Sequence, residues 1–282
     1  MIIIAGPTAV GKTAAAIALA LQHNTEIISA DSRQCYKEMK IGVARPSEEE
    51  LATVPHHFIA SHSIHENINA VEFEKYALEK TAEVFKKKST VIVVGGTGLY
   101  IKALTEGMDD IPSIPSEIRE QVVHHYNEKG LTWLQKEIEL NDPLFFASGE
   151  MQNPQRLMRA LEVKQFTGRS IIDFRKGEKA NRDFSIKKIG LELPREVLYE
   201  RINARVDKMM DAGLLEEGKS LYPFKHLNAL QTVGYQELFD FLDGVHSLDK
   251  AVELIKRNNR HYAKRQLTWF KKDPEFEWRQ PG

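Results

Sequence analysis

Short apolar runs alternate with amphipathic stretches through the first hundred or so residues, the pattern of strands followed by helices. Ile2 to Ala5 reads as a buried strand, Lys12 to Leu21 as a helix and Glu26 to Ala30 as a second strand. One such βαβ unit implies a parallel sheet with a right-handed crossover. Asn69 and Glu72 have the spacing of a capping box and predict a helix running to Lys86-Lys87-Lys88. A buried-type strand, Thr90 to Val94, then ends in Gly95-Gly96-Thr97-Gly98. From Ile114 to Asp183 the pattern is wholly helical, with Pro115-Ser116-Glu117-Ile118-Arg119 opening one segment and Asn153-Pro154 another in N-cap and N1 positions. Alternation returns over Ile186 to Leu193, and a helix follows from Pro194 to Ala212, closed by Gly213. A last long helix, Leu248 to about Lys271, precedes Asp273-Pro274 and a short tail.

The turn between the first strand and its helix is Gly6-Pro7-Thr8-Ala9-Val10-Gly11-Lys12-Thr13, a complete GxxxxGK[ST] phosphate loop in its expected setting. Its glycines let successive backbone N–H groups wrap a phosphate, and the helix N-terminus adds a positive dipole end. Lys12 adds a charge, and the Thr13 hydroxyl is placed to hold Mg²⁺. The fold class expected is therefore α/β: a P-loop NTPase-like open parallel sheet with an inserted all-helical subdomain. Residues 1–113 and 184–282 form the core with the C-terminal helices, and residues 114–183 form the insert.

Composition narrows the setting more than the chemistry. A chain of 282 residues with 42% hydrophobic content fills an ordinary core, and the net charge of −1 requires any nucleic-acid partner to be met by a local basic surface. The one cysteine, Cys35, excludes an internal disulfide and a cysteine-based zinc site. No apolar run approaches the ~20 residues needed to span a bilayer, and the first residue already enters a strand, leaving no room for a signal peptide. A cytoplasmic monomer is the expectation.

Asp31 closes the second strand, beside the phosphate loop, where ligands of open parallel sheets collect; this makes it the leading catalytic candidate, to hold Mg²⁺ or to take a proton. The third strand lacks the terminal aspartate with which P-loop NTPases usually help hold Mg²⁺, so ATP hydrolysis is disfavoured. Its Gly95-Gly96-Thr97 suggests close backbone approach to a ligand, with the Thr97 hydroxyl free for an oxyanion or a substrate. Basic residues gather in Gln155-Arg156-Leu157-Met158-Arg159 and along one stripe of the last helix, Arg257, Arg260, Lys264 and Lys271. Tyr262, Trp269 and Phe270 are interleaved there, as where a nucleic-acid backbone is gripped and a base stacked. His56-His57, His62 and His65 have no carboxylate frame and read as loop histidines rather than metal ligands.

Taken together, residues 6–13 (GPTAVGKT), 28–46 (ISADSRQCYKEMKIGVARP), 94–100 (VGGTGLY), 153–163 (NPQRLMRALEV), 232–238 (TVGYQEL) and 263–270 (AKRQLTWF) resemble the tRNA dimethylallyltransferases, or isopentenylpyrophosphate transferases, in order and spacing almost from end to end. The resemblance implies transfer of the dimethylallyl group from dimethylallyl diphosphate to the exocyclic amine of adenosine 37, just 3′ of the anticodon of tRNA. No ATP is consumed. It implies that the loop cradles a diphosphate, with Thr8, Gly11, Lys12 and Thr13 holding it and its Mg²⁺. Asp31 would draw a proton from the acceptor amine, and Thr97 with Arg119 would orient substrate. Asp31-Ser32-Arg33-Gln34 and Gln155 to Arg159 would flank an extruded adenine in a channel between core and insert, while the last helix, through Arg260 and Lys264, grips the anticodon stem. The family's eukaryotic members carry a C-terminal zinc-finger extension that this sequence lacks, which makes it similar to the bacterial type. Three other readings share the loop: an adenylate isopentenyltransferase using free nucleotide, a P-loop small-molecule kinase, and a binding module that keeps the loop as a relic.

Overall fold

Ile3 and Ile4 project from opposite faces of the first strand and both are completely buried, so that strand needs cover on two sides. The computed structural model describes residues 1–149 and 151–281. Its elements run β1 (Ile2–Ala5), α1 (Lys12–Gln22), β2 (Ile27–Ser29), α2 (Glu48–Thr53), β3 (His56–His57), α3 (Ala70–Phe85), β4 (Ile92–Gly95) and α4 (Gly98–Glu106). Three helices follow, α5 (Ser116–Asn141), α6 (Pro143–Ser148) and α7 (Pro154–Thr167). The sheet resumes with β5 (Lys187–Leu191), and α8 (Arg195–Asp211), α9 (Leu214–Leu221), α10 (Tyr235–Leu242), α11 (Leu248–Phe270) and β6 (Phe276–Arg279) complete the chain.

The six strands are all parallel, in the order β3-β2-β4-β1-β5-β6. This is the open α/β sheet with a helical insertion that the alternating pattern predicts. One face buries Ile3, Ile28 and Val93 against Phe73 and Ala77 of α3 and Tyr100 and Leu104 of α4. The other buries Ile4, Ile27 and Ile92 against Ala16 and Ala20 of α1, Leu198 and Ile202 of α8 and Ala263 of α11. Such double cover is why these strands read as continuous apolar runs.

Local signals fix several boundaries. The Asn69 side chain accepts from Val71 and Glu72 N–H while Glu72 reaches back to Asn69, the expected capping box. Asn153 caps α7 with Pro154 at N1, and Gly213, at φ +98°, ends the helical run before α9. The tail after Asp273-Pro274 is not loose: β6 pairs with β5 and forms a sheet edge.

By contact the chain divides into two compact units, Met1–Gly107 with Asn181–Gly282, and Met108–Ala180. The second has its own core of Val122, Leu134, Ile138, Phe145, Leu157, Met158 and Leu161, and α5 turns sharply at Gly130 (φ +71°). Among the described residues no helix is long and apolar enough to cross a membrane.

Candidate active site

The carboxyl ends of β1, β4 and β2 lie side by side, and each delivers one part of the site. After β1 the phosphate loop curls with Ala9 and Gly11 both at positive φ, +65° and +103°, the second requiring glycine. Lys12 folds back over it, its Nζ donating to Pro7 O at 2.8 Å and to Gly6 O at 3.1 Å. Burial pushes this ammonium down to about 8, opposed by the Asp31 carboxylate and helped by the Arg205 guanidinium. A cavity of about 390 Å³ opens over the loop, with Lys12, Thr13, Asp31 and Gln34 in its wall.

After β2, Asp31 Oδ1 accepts from Arg33 N at 2.9 Å and Gln34 N at 3.3 Å, which turns the chain and aims the carboxylate into the cavity. A second cavity of about 340 Å³ is lined by Ser32, Arg33, Gly42, Thr232, Val233, Asn259 and Arg265. Thr8, Asp31, Arg205 and Tyr262 border both cavities, along with Val43 and Ala44. Asp31 therefore stands where a ligand on the phosphate loop meets a ligand in the neighbouring space.

Arg205, on α8, was not among the residues singled out from the sequence. Its Nη2 donates to Thr8 Oγ1 at 2.6 Å, while its Nε is buried with no partner. Burial lowers its ionisation and Asp31 opposes that shift. An orphaned guanidinium N–H beside a phosphate loop calls for an anionic ligand. Arg201, one turn earlier, lines the same cavity, so the recognisable signal was an arginine pair four apart on the helix after β5. Gln266 was also missed. Its Oε1 accepts from Thr8 N at 2.8 Å and its Nε2 donates to Gly96 O at 2.9 Å, tying the phosphate loop to the end of β4.

The glycines after β4 have a reason beyond the one expected. A Cβ on Gly95 would strike the Ala30 carbonyl, and one on Gly96 would strike the Gln266 amide, so the chain itself approaches closely here, while Gly95 also lines the first cavity. The Thr97 hydroxyl is likewise engaged: it accepts from Ser32 N at 3.0 Å and donates to Ser32 Oγ at 3.3 Å, supporting the turn that carries Asp31.

In the helical unit, Arg119 lies in the first turn of α5 with its side chain exposed. Gln155 and Arg156 are exposed on α7, and Arg159 is half-buried beside Glu162 at 3.5 Å. Leu157 and Met158 are core residues, 0% and 5% exposed, so they fix the helix and do not present their side chains to a partner. On α11, Arg260 Nη1 donates to Asn203 Oδ1 at 2.7 Å and Lys271 pairs with Glu192 at 2.7 Å, which leaves Lys264 as an exposed cation of that stripe. The members of α11 that reach the cavities are Asn259, Tyr262, Arg265 and Gln266. Burial, with Asp31 nearby, pushes the Tyr262 phenol up to about 12 and keeps it a donor.

His56, read from the sequence as an ordinary loop histidine, borders the first cavity. Its Nδ1 sits 2.7 Å from Val54 O, burial lowers its pKa, and a carbonyl only accepts, so Nδ1 carries the proton and the unpartnered Nε2 keeps its lone pair.

A match to the description "IPP transferase" covers residues 34–273. The chain belongs to the IPP transferase family. Among IPP transferases it is 51% identical to the tRNA dimethylallyltransferase of Christiangramia forsetii over 278 residues, 99% of this chain and 92% of that one. It is 47% identical to the tRNA dimethylallyltransferase of Cytophaga hutchinsonii over 282 residues, covering 100% of this chain and 93% of its relative. Among solved structures, the tRNA isopentenylpyrophosphate transferase of Bacillus halodurans superposes with a TM-score of 0.71 at 36% identity, over 99% of this chain and 88% of the other. A eukaryotic dimethylallyltransferase described as acting on tRNA superposes at 0.78 with 27% identity, over 96% and 69% of the two chains.

The IPP transferase site also gathers donors of the kind a hard cation takes. Thr13, Ser29, Asp31 and Gln34 bring oxygen donors to the first cavity, and among the described residues no group of three or more His, Cys, Asp or Glu side chains forms a metal cage. That donor set suits Mg²⁺ shared with a ligand's phosphate oxygens and water.

Proposed function

We propose that this chain transfers the dimethylallyl group of dimethylallyl diphosphate to the exocyclic N6 of adenosine 37 in tRNA, with Mg²⁺, in the cytoplasm. The observation that carries the reading is the meeting of two cavities at Asp31, Thr8, Arg205 and Tyr262, one over a phosphate loop and one beside it. The donor's diphosphate takes the loop, contacting Thr8, Gly11, Lys12 and Thr13, and the adenine takes the second cavity.

In the transfer, the bond between the allyl C1 and the diphosphate oxygen breaks, and the electron pair leaves with the diphosphate. Lys12, Arg205 and the backbone N–H groups of the loop stabilise that growing charge. Thr13 would hold Mg²⁺, and that cation would supply further neutralisation of the leaving group. The N6 lone pair forms the new bond to C1, and a proton passes from N6 to the free oxygen of Asp31. Because the amine lone pair is delocalised into the ring, removing that proton as the bond forms is where a positioned base helps most. Thr97 and Gln266 hold the two halves of the site in register, Arg33 frames the acceptor, and Gln34 holds the Val43 and Ala44 carbonyls of its wall. Arg119, Gln155, Arg156, Arg159, Arg260 and Lys264 remain the proposed tRNA-facing groups.

Lys12 gives this reading a pH dependence with a definite sign. With its ammonium lowered to about 8 in the unliganded site, the group is charged below that pH and loses its charge above it. A bound diphosphate raises the pKa, so binding above about 8 takes up a proton. The Kd for dimethylallyl diphosphate should be flat below about pH 7.5 and rise by up to about tenfold per pH unit above about 8. Calorimetry in buffers of differing ionisation heat checks both parts; a flat Kd with no proton uptake would mean that Lys12 stays charged throughout.

The decisive experiment supplies radiolabelled dimethylallyl diphosphate and Mg²⁺ to the enzyme with unmodified tRNA, with AMP, and separately with labelled ATP as a phosphate donor. Label on tRNA alone is expected. Label on AMP, or phosphate transfer from ATP, would keep the fold and overturn the function.

A further inference from the structure

The acceptor-side cavity is walled by two segments far apart in sequence, 42–44 and 231–233, and neither is part of a helix or strand of the sheet. Irregular walls of this kind hold their shape only if their backbone groups find side-chain partners. For the first wall those partners are explicit. Gln34 Nε2 donates to Val43 O at 3.2 Å and Ala44 O at 3.0 Å, and Arg45 Nη2 reaches Tyr36, Lys37 and Met39 carbonyls at 2.8, 2.8 and 2.5 Å.

The amides between these anchors converge on one carboxylate. Glu217, on α9, accepts through Oε2 from Lys40 N at 3.1 Å and Ile41 N at 2.8 Å, and through Oε1 from Gly42 N at 2.9 Å. Oε1 also accepts from the Tyr235 hydroxyl at 2.6 Å. Tyr235 opens α10 directly after the second wall, and it is fully buried. A Cβ on Gly42 would lie 2.6 Å from the Tyr235 ring, so the two walls already touch at that point. Burial and the neighbouring carboxylate raise the Tyr235 phenol, which stays the donor. Glu217 itself lines neither cavity.

We infer that Glu217 is a positioning residue that fixes the width of the acceptor cavity, by bonding three successive amides that lead into one wall and the tyrosine that anchors the other. The inference rests on the reading of that cavity as the adenine site. A carboxylate accepts at both oxygens, whereas a glutamine in either orientation turns its NH₂ toward two of these four donors, so Glu217→Gln breaks half of the clamp at nearly constant size. Val43 and Ala44 also border the first cavity, but Glu217 bonds no residue of the phosphate loop, so the loss of width control should act chiefly on the tRNA side of the kinetics.

In Glu217→Gln we expect the KM for tRNA to rise about tenfold and kcat/KM for tRNA to fall about 10²-fold, with the KM for dimethylallyl diphosphate within about twofold of the parent. Amide hydrogen exchange at Ile41 and Gly42 should quicken by about tenfold or more. Tyr235→Phe, which removes one of the four bonds, should show a smaller loss of the same kind. An unchanged KM for tRNA would overturn the inference even if the amides exchange faster, and so would an equal rise in both KM values, the mark of general loosening. A parent enzyme that moves no label to tRNA would overturn the functional reading and this inference with it.

Discussion

Asparagine in place of Asp31 is expected to slow dimethylallyl transfer by roughly 10²- to 10⁴-fold while changing tRNA affinity by less than about threefold. The local structure makes this substitution cleaner than alanine. Asp31 Oδ1 is committed to Arg33 N and Gln34 N, and an asparagine oxygen can keep both bonds and the turn they form. What disappears is the negative charge and the proton-accepting oxygen at the junction of the two cavities. Single-turnover transfer from radiolabelled donor, beside filter binding of tRNA, separates chemistry from recognition. A transfer rate equal to that of the parent would remove Asp31 from the proton's path.

Replacing Arg205 with alanine should lower kcat by about 10²- to 10³-fold, the usual loss when one preorganised donor to a developing anion is removed. Its guanidinium is held by Thr8 on one side and keeps a buried, unpartnered Nε on the other, so a leaving diphosphate completes a site already built. Arg205→Lys should recover little, because an ammonium lacks the planar fork that spans the Thr8 hydroxyl and a phosphate oxygen together. Pyrophosphate affinity should fall with kcat in both variants, and tRNA affinity should not. If pyrophosphate binds either variant as it binds the parent, Arg205 belongs to the fold rather than to the leaving group.

The difference between Asp31 and Arg205 marks what could be read from the chain alone. Asp31 follows a strand and stands next to a motif whose eight residues are contiguous, so position along the sequence was enough to place it. The Asn69 box, Pro154 at N1 and Gly213 were legible for the same reason, since each acts within a turn or two of itself. Arg205 and Gln266 sit in amphipathic helices where a polar residue ordinarily means solvent, and only the packing of α8 and α11 over the sheet brings them to Thr8. Gly95 and Gly96 were recognised as a place of close approach, but the approaching groups, Ala30 and Gln266, are set by tertiary structure. β3 has two residues and β6 follows a proline, so neither carries enough alternation to register as a strand.

The strand order has a consequence for how the chain assembles as it is made. β1 finds its neighbours in β4 and β5, with Ile4 in register with Ile189, so this strand waits for residues some 90 and 185 positions further on before it is enclosed. The helical unit is built from residues close together in sequence, α5 against α7, and emerges whole before β5 does. Local contacts form fast and distant parallel pairings slowly. On the ribosome the helical unit can therefore gain structure while the sheet that bears the phosphate loop is still open, and the loop acquires its final shape only when α8 and α11 arrive to supply Arg205 and Gln266.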